Sequence, residues 1–507
     1  MNLDYKHPLY EHYLSTWNYY SASYKGGEDY RHNSLRMLRE YLFEHDAPGN
    51  QYASRLEYTA LDNLTKLTVD TYRSFLFRSL PVRTFGYLQG NPLVERFLYD
   101  VDFEGQDLDD FMKEANNMAM VYGQVWILVT KGFQDGVITL EQEIENDIRP
   151  YAKIFTPENV CDWEYIKQPN GADKLVYVKT KEFVSVRETR YIEWTPEEIR
   201  TFVVLYDENG EEKTVTMTEL QQNAIGEVPF VQLKANPSQY KGIGMSDIAD
   251  VAKIQQALFN LLSEAEQGIR ISNHPTLVKT GDVNATAGAG AVINLDNTMD
   301  PNLRPYLIEP NGTNIDSIVS MIEQHIQAFL RMTHLGAIMA ARGMSIKSGI
   351  ALSTEFEMLN TRLADKSAKL EQAEYNMWKL FYKWSNLQMD PDFNVIYKKT
   401  FDLRDEHADL SLLNQALQIG VESDTFRKEI HKQIARIVVE NGDKLDDIMA
   451  EIDGGTLQHD PVTAETKQPH IEAMIMEGMT DKQMLELHPE LTQADLDEAK
   501  AKLLENN

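Results

Sequence analysis

The feature that most restricts this chain is one long amphipathic run. Over residues 351–388, Phe356, Leu359, Leu363, Leu370, Ala373, Met377, Leu380, Phe381 and Trp384 recur at helical steps, and Pro391 stops the pattern. At 1.5 Å per residue this predicts a helix ~57 Å long if straight. Such a rod must be lined by other elements, because an amphipathic helix draws most of its stability from burying its apolar face.

Two shorter stripes precede it. Ile248, Val251, Ile254, Leu258, Leu261, Leu262, Ala265 and Ile269 predict a helix over 246–272, with Ser246 as its N-cap. Ile315, Ile318, Val319, Ile322, Ile326, Phe329 and Leu330 predict another over 311–333. Between them, 275–279, 291–295 and 304–308 read as short strands around the small-residue stretch 285–291. The expectation is a helical hairpin tipped by a small β insert. A loop follows over 334–350, punctuated by Gly336, Gly343 and Gly349, and leads into the rod.

Upstream, Tyr10, Tyr13, Leu14 and Trp17 share one helical face. A second helix is expected over 58–80, ended by Pro81. A third covers 108–122, where Asp107, Asp109 and Asp110 complement the helix dipole. From 123 to 233 the period changes. Segments 124–130, 137–142, 175–181, 191–194, 201–206 and 213–217 are β-branched or aromatic, separated by turn formers such as Asp135-Gly136 and Asn209-Gly210. Residues 1–245 therefore read as an α+β domain with an antiparallel sheet. After the rod, 393–401 is expected to be a strand returning to a sheet formed upstream. Helices over 410–419, 423–440 and 444–453 follow, with Gly420 and Asn441-Gly442 as stop signals. Residues 456–507 read as a polar linker carrying Pro461 and Pro469, then short helices over 470–477 and 492–504. The fold class is α+β, predominantly helical.

Composition narrows function. At 507 residues, more than one core is expected. The single cysteine, Cys161, excludes an intrachain disulfide framework and reads as a small apolar filler. No basic segment before an apolar run opens the chain, and stretches such as 125–129 are too short to cross a bilayer, so a soluble, cytosolic chain is expected. The formal net charge is −30, which argues against gripping nucleic acid through a basic face. One stretch departs from that average: the 31 residues between Glu323 and Glu355 contain no Asp or Glu, while Arg331, Arg342 and Lys347 lie within it.

Catalytic signatures are missing. There is no phosphate-binding Gly-x4-Gly-Lys-Ser/Thr loop, no His-Glu-x-x-His, no Cys-x-x-Cys and no Gly-x-Ser-x-Gly. The run 241–246, Lys-Gly-Ile-Gly-Met-Ser, is a flexible entry to a helix rather than a phosphate cradle. Neither His7 with His12 nor His325 with His334 has convincing ligand spacing. No catalytic residue, metal site or cofactor is expected, and the chain does not read as an enzyme.

The ordered set of elements resembles the portal (head-to-tail connector) family of tailed double-stranded DNA bacteriophages. Lys347-Ser-Gly-Ile-Ala-Leu352 is similar to the family's entry to its tunnel helix, and Pro229-Phe-Val231 followed by Gly244-Met-Ser246 to its approach to the first stem helix. His7-Pro-Leu-Tyr10 with Trp17, then Tyr24-Lys-Gly-Gly27 and Tyr41-Leu42, resembles the N-terminal opening of several portals. Ser79-Leu-Pro-Val82 resembles a portal helix end, with Arg78 and Ser79 where glycine is usual. The resemblance spans about residues 5–455.

The resemblance implies a wing (1–245), first stem helix (246–272), clip (273–310), second stem helix (311–333), tunnel loop (334–350), tunnel helix (351–388), a strand returning to the wing (389–405) and a helical crown (406–455). It also implies a dodecameric homo-oligomeric ring at one capsid vertex, in the virion after assembly in the host cytoplasm. Double-stranded DNA would pass through without sequence specificity during packaging, retention and ejection. Terminase large subunit, head–tail adaptor, major capsid and scaffolding proteins are the implied partners, and no membrane is. Arg331, Arg342, Ser345, Lys347 and Ser348 would face the DNA channel, and Lys279, Asp282 and Arg304 would face terminase or adaptor. A motor ATPase is argued against by the missing phosphate loop. The rival from another class is an acidic cytosolic helical scaffold or binding module without a DNA channel.

Overall fold

The computed structural model describes residues 5–41, 44, 51–132, 146–207, 212–273, 276–278, 300, 306–308, 313–336, 338, 349–401, 413, 423–438 and 442–454. The chain divides into two units, Met1–Phe401 and Asp402–Asn507. In the second, Asp424–Val438 and Gly442–Gly454 form helices, and Lys432 pairs with Asp453 at 2.6 Å. Residues 137–142, 291–295, 410–412, 414–419 and 456–507, each assigned an element or linker from sequence, lie outside the described residues.

The first unit is built around a three-stranded antiparallel sheet in which Gln124–Lys131 lies between Pro150–Phe155 and Phe230–Lys234. Side chains alternate across a strand, so this central strand feeds two cores. Trp126 and Leu128 join Phe155, Phe230, Trp163 and Trp194 on one side. Val125, Ile127 and Val129 face the other, with Phe111, Met112 and Ala115 of the helix Leu108–Tyr122 and Leu370, Met377 and Phe381 of the long helix. A separate five-stranded meander runs in chain order through Val160–Lys167, Asp173–Ser185, Glu188–Trp194, Glu198–Tyr206 and Glu212–Gln222. The sequence pattern predicts one antiparallel region; the structure divides it into two sheets and adds the strands Pro150–Phe155, Val160–Lys167 and Phe230–Lys234.

Three helix boundaries depart from expectation for identifiable reasons. The helix expected over 58–80 is shorter, Leu64–Leu76, and starts where the Asn63 side chain accepts from Lys66 N; Gln51–Tyr58 is a separate helix before it. Ser246 does not cap the first hairpin helix, which runs Ala249–Asn273. The long helix, Gly349–Trp384, stops well before Pro391. Asn386 takes φ 53 there, and Leu387 N donates to Tyr382 O at 3.0 Å, a left-handed termination that asparagine tolerates. At 36 residues it still spans ~54 Å.

The second hairpin helix is Thr313–Thr333. At the hairpin tip, Thr276–Val278 pairs antiparallel with Tyr306–Ile308. The expected return strand is only Asn394–Ile396. It pairs with Val82–Thr84 as an isolated two-stranded ladder rather than joining either larger sheet.

Candidate functional site

The residues that orient the hairpin are short-range bonds to backbone and one buried charge. Gly123 ends the helix Leu108–Tyr122 in the left-handed region at φ 92. Its backbone lies so close to Gly244 that a Cβ on either would collide with the other's carbonyl oxygen. Two residues on, Ser246 Oγ donates to Val121 O (2.6 Å) or Met120 O (3.0 Å) and accepts from Ile248 N at 3.1 Å. Asp247 N also donates to Met120 O at 3.0 Å. The Gly-Met-Ser stretch thus stitches the hairpin's entry onto orphan carbonyls at a helix C-terminus.

The Asp247 side chain is wholly buried and paired with two cations. Its carboxylate accepts from Lys366 Nζ, from Arg362 at 3.2 Å and from Asn236 Nδ2 at 3.0 Å. Burial alone would raise its pKa, but the Lys366 ammonium and the Arg362 guanidinium outweigh it and hold the carboxyl below the usual range. Burial depresses the Lys366 pKa, with Asp247 opposing. Arg362 and Lys366 lie one turn apart on the long helix and so share a face. Arg362 also donates to Met332 O at 3.2 Å, in the last turn of the second hairpin helix. Beside it, the buried Tyr72 hydroxyl donates to Thr333 O at 2.6 Å, with the Arg362 guanidinium 5.4 Å from the Tyr72 ring. One turn of the long helix therefore grips both ends of the hairpin at its base.

A second buried cluster fixes the other half of the long helix. Glu374 receives Arg83 Nε at 2.5 Å, the Tyr397 hydroxyl at 2.5 Å and Trp378 Nε1 at 3.2 Å, while Arg83 also reaches Asp109 at 2.7 Å. Burial first, then Glu374, pushes the Tyr397 phenol far above its ordinary range. The acidic group at the start of Leu108–Tyr122 is thereby accounted for residue by residue. Asp107 accepts from Asp110 N, Asp109 pairs with Arg83, and Asp110 pairs with Lys113 at 2.7 Å.

The model of the family described as phage portal protein, SPP1 Gp6-like, matches residues 29–403. The chain belongs to that portal family. The match covers the hairpin, the long helix and both clusters, a span narrower at each end than the 5–455 expected from sequence. Among solved structures the chain is similar to a chain in the virion of a native gene transfer agent particle (10% identity, 79% of this chain and 94% of that chain, TM-score 0.39). It is also similar to one in the neck of an empty gene transfer agent particle computed with C6 symmetry (9%, 79% and 94%, 0.38) and one in the neck of the native particle computed with C12 symmetry (9%, 72% and 89%, 0.40). A comparison with curated proteins found no match.

Of the residues assigned to the portal's channel from sequence, Arg331 lies exposed in the last turn of Thr313–Thr333, next to the Met332 carbonyl held by Arg362. Arg342, Ser345, Lys347 and Ser348 lie outside the described residues, as do the clip residues Lys279, Asp282 and Arg304. Cys161 is a buried free thiol, its pKa raised by burial. Among the described residues no helix is long and apolar enough to cross a membrane. Asp247, Arg362 and Lys366 were missed by the sequence reading. The available signal was an acid directly after Gly244-Met-Ser246 and two bases at i and i+4 on the rod, but nothing in the sequence pairs residues more than a hundred positions apart.

Proposed function

We propose that the chain is the subunit of a dodecameric ring at one capsid vertex, a channel for double-stranded DNA used in packaging, retention and ejection. In this reading the hairpin is the stem, its β-tipped end is the clip that docks terminase and then the head–tail adaptor, 334–350 is the tunnel loop and the long helix the tunnel helix. Residues 1–245 with the return strand form the wing, and 406–455 the crown. The observation that carries the reading is the family match across residues 29–403. The chemistry agrees with it. Each phosphate neutralised by a protein cation adds affinity and resists sliding, and twelve copies at −30 each keep most surfaces repulsive to DNA.

Arg331, Arg342 and Lys347, in the stretch free of acidic residues, would supply weak positive rings against that background, with Ser345 and Ser348 beside them. The ring performs no catalysis and takes no cofactor. Electron microscopy of the purified chain tests the assembly: rings with a central channel are expected, and compact particles without a pore would return the acidic scaffold. For the loop, Arg342→Glu with Lys347→Glu is expected to change packaging rate or DNA retention in assembled particles. Unchanged values of both would remove these two residues from the channel.

A further inference from the structure

We propose that a trough along the C-terminal half of the long helix docks an acidic, extended peptide segment of a partner protein. Two cavities, of about 390 and 270 Å³, both have Gln232 and Asn376 in their walls and lie between this helix and the strand Phe230–Lys234, the larger one also reaching Asp173–Ser185. Their floor is apolar: Val228, Phe230, Leu233 and Leu380, all buried. Their walls are cationic, with Lys174, Lys234, Lys369, Lys379 and Lys383.

The charges do not cancel within the subunit. The two acids of the trough are already satisfied, Asp173 by Lys241 and Glu227 by Lys383 at 2.6 Å. Lys369 holds Asp365 and donates to Ala235 O at 2.9 Å. No carboxylate among the described residues pairs with Lys174, Lys234 or Lys379. Lys379 lies 4.6 Å from the Tyr375 ring centroid. Lys234 is half-buried, and burial depresses its pKa with no acid opposing. In a chain of net charge −30, three lysines without a carboxylate partner around one trough are a local excess of positive charge, and an incoming carboxylate would relieve the desolvated Lys234.

An acidic peptide fits better than a DNA duplex. A duplex presents a continuous phosphate row, one charge per ~1.7 Å of axis, which the apolar floor between the lysines does not match. A peptide alternating acidic and apolar side chains would set carboxylates against the lysines and apolar groups on the floor. Gln372 and Asn376 offer amides to its backbone. The inference is independent of ring closure.

The test is fluorescence anisotropy of a short labelled peptide of alternating glutamate and leucine, titrated with the full chain at low ionic strength. Overall charge repels such a peptide, so saturable binding is local in origin. Lys234→Met with Lys379→Met is expected to weaken it about tenfold or more. Lys66→Met, outside the trough, should leave it unchanged. A second readout needs no variant: bound peptide should slow acetylation of Lys174, Lys234 and Lys379, followed by mass spectrometry. Absence of saturable binding, equal affinity in the double variant, or stronger competition from a DNA duplex overturns the proposal. Protection of the same lysines in assembled particles without peptide places a second copy in the trough and overturns it as well.

Discussion

The two halves of the helical hairpin are governed by different physics. At the base, Val251, Phe259 and Phe329 are 2%, 1% and 2% exposed, and every end of the hairpin is tied by a named polar bond. Toward the tip the same two helices keep their apolar period but expose it: Ile269 is 45%, Val319 44% and Met321 43% exposed. The periodicity is continuous; the burial is not. The base is completed within the subunit, whereas the distal half carries apolar surface that a neighbouring copy would cover in the proposed ring. The sharpest way to break this comparison is Asp247→Ala. It leaves Lys366, itself almost fully buried, without its carboxylate, and removing one member of a buried pair costs about 3–5 kcal/mol. Urea unfolding of the subunit checks it. A loss under about 1 kcal/mol would mean that the base is held by packing alone. Asp247→Leu with Lys366→Met removes both charges and is expected to recover much of the loss.

The same pair gives a pH dependence of defined sign. The Asp247 carboxyl is held below its unfolded value, so its contribution to stability is fully present above the unfolded pKa of about 3.9 and disappears as pH falls through the lower folded value. Wild type and Asp247→Asn should therefore differ most near neutrality and converge in acid. Denaturation measured from neutrality down through the acid range well below about pH 3.9 reads the convergence, and a gap that stays constant to the acid limit would assign Asp247's role to hydrogen bonding rather than charge. A smaller loss, about 1 kcal/mol, is expected for Tyr72→Phe, which deletes only the bond to Thr333 O.

How much of this could be read in advance divides along the same line. Periodicity revealed both hairpin helices and the rod, because a 3.6-residue repeat is a local property of the chain. The helix Leu108–Tyr122 was legible for the same reason, though the capping bond of Asp107 was not. Local signals also misled: the apolar steps from Leu61 to Leu76 hid the helix start at Asn63, and Pro391 drew attention from Asn386, where the helix stops. Pairing was not legible. Phe230–Lys234 is strand because Gln124–Lys131 lies beside it, and Asp247 is tolerable inside the protein because Lys366 and Arg362 arrive from the far side of the hairpin. The family motif Gly244-Met-Ser246 was recognisable before its cause was. Its cause is a backbone-on-backbone contact with Gly123 and two carbonyls waiting for a hydroxyl.

The distal half offers the smallest effect on the subunit and the most direct test of what covers it. Val319→Asn places a polar amide on an exposed helix position, and the two residues have similar helix propensity. The isolated subunit should therefore change by no more than about 0.5 kcal/mol in urea unfolding. If a neighbouring copy packs on this face, the buried amide would meet apolar groups at the interface, and the fraction of chain in rings, counted by electron microscopy or sedimentation, should drop. A subunit destabilised by more than about 1 kcal/mol would show instead that Val319 is packed internally, and the contrast between base and tip would fail. Unchanged ring formation with unchanged stability would leave the tip's apolar face to solvent, so that contacts elsewhere on the subunit must close the ring.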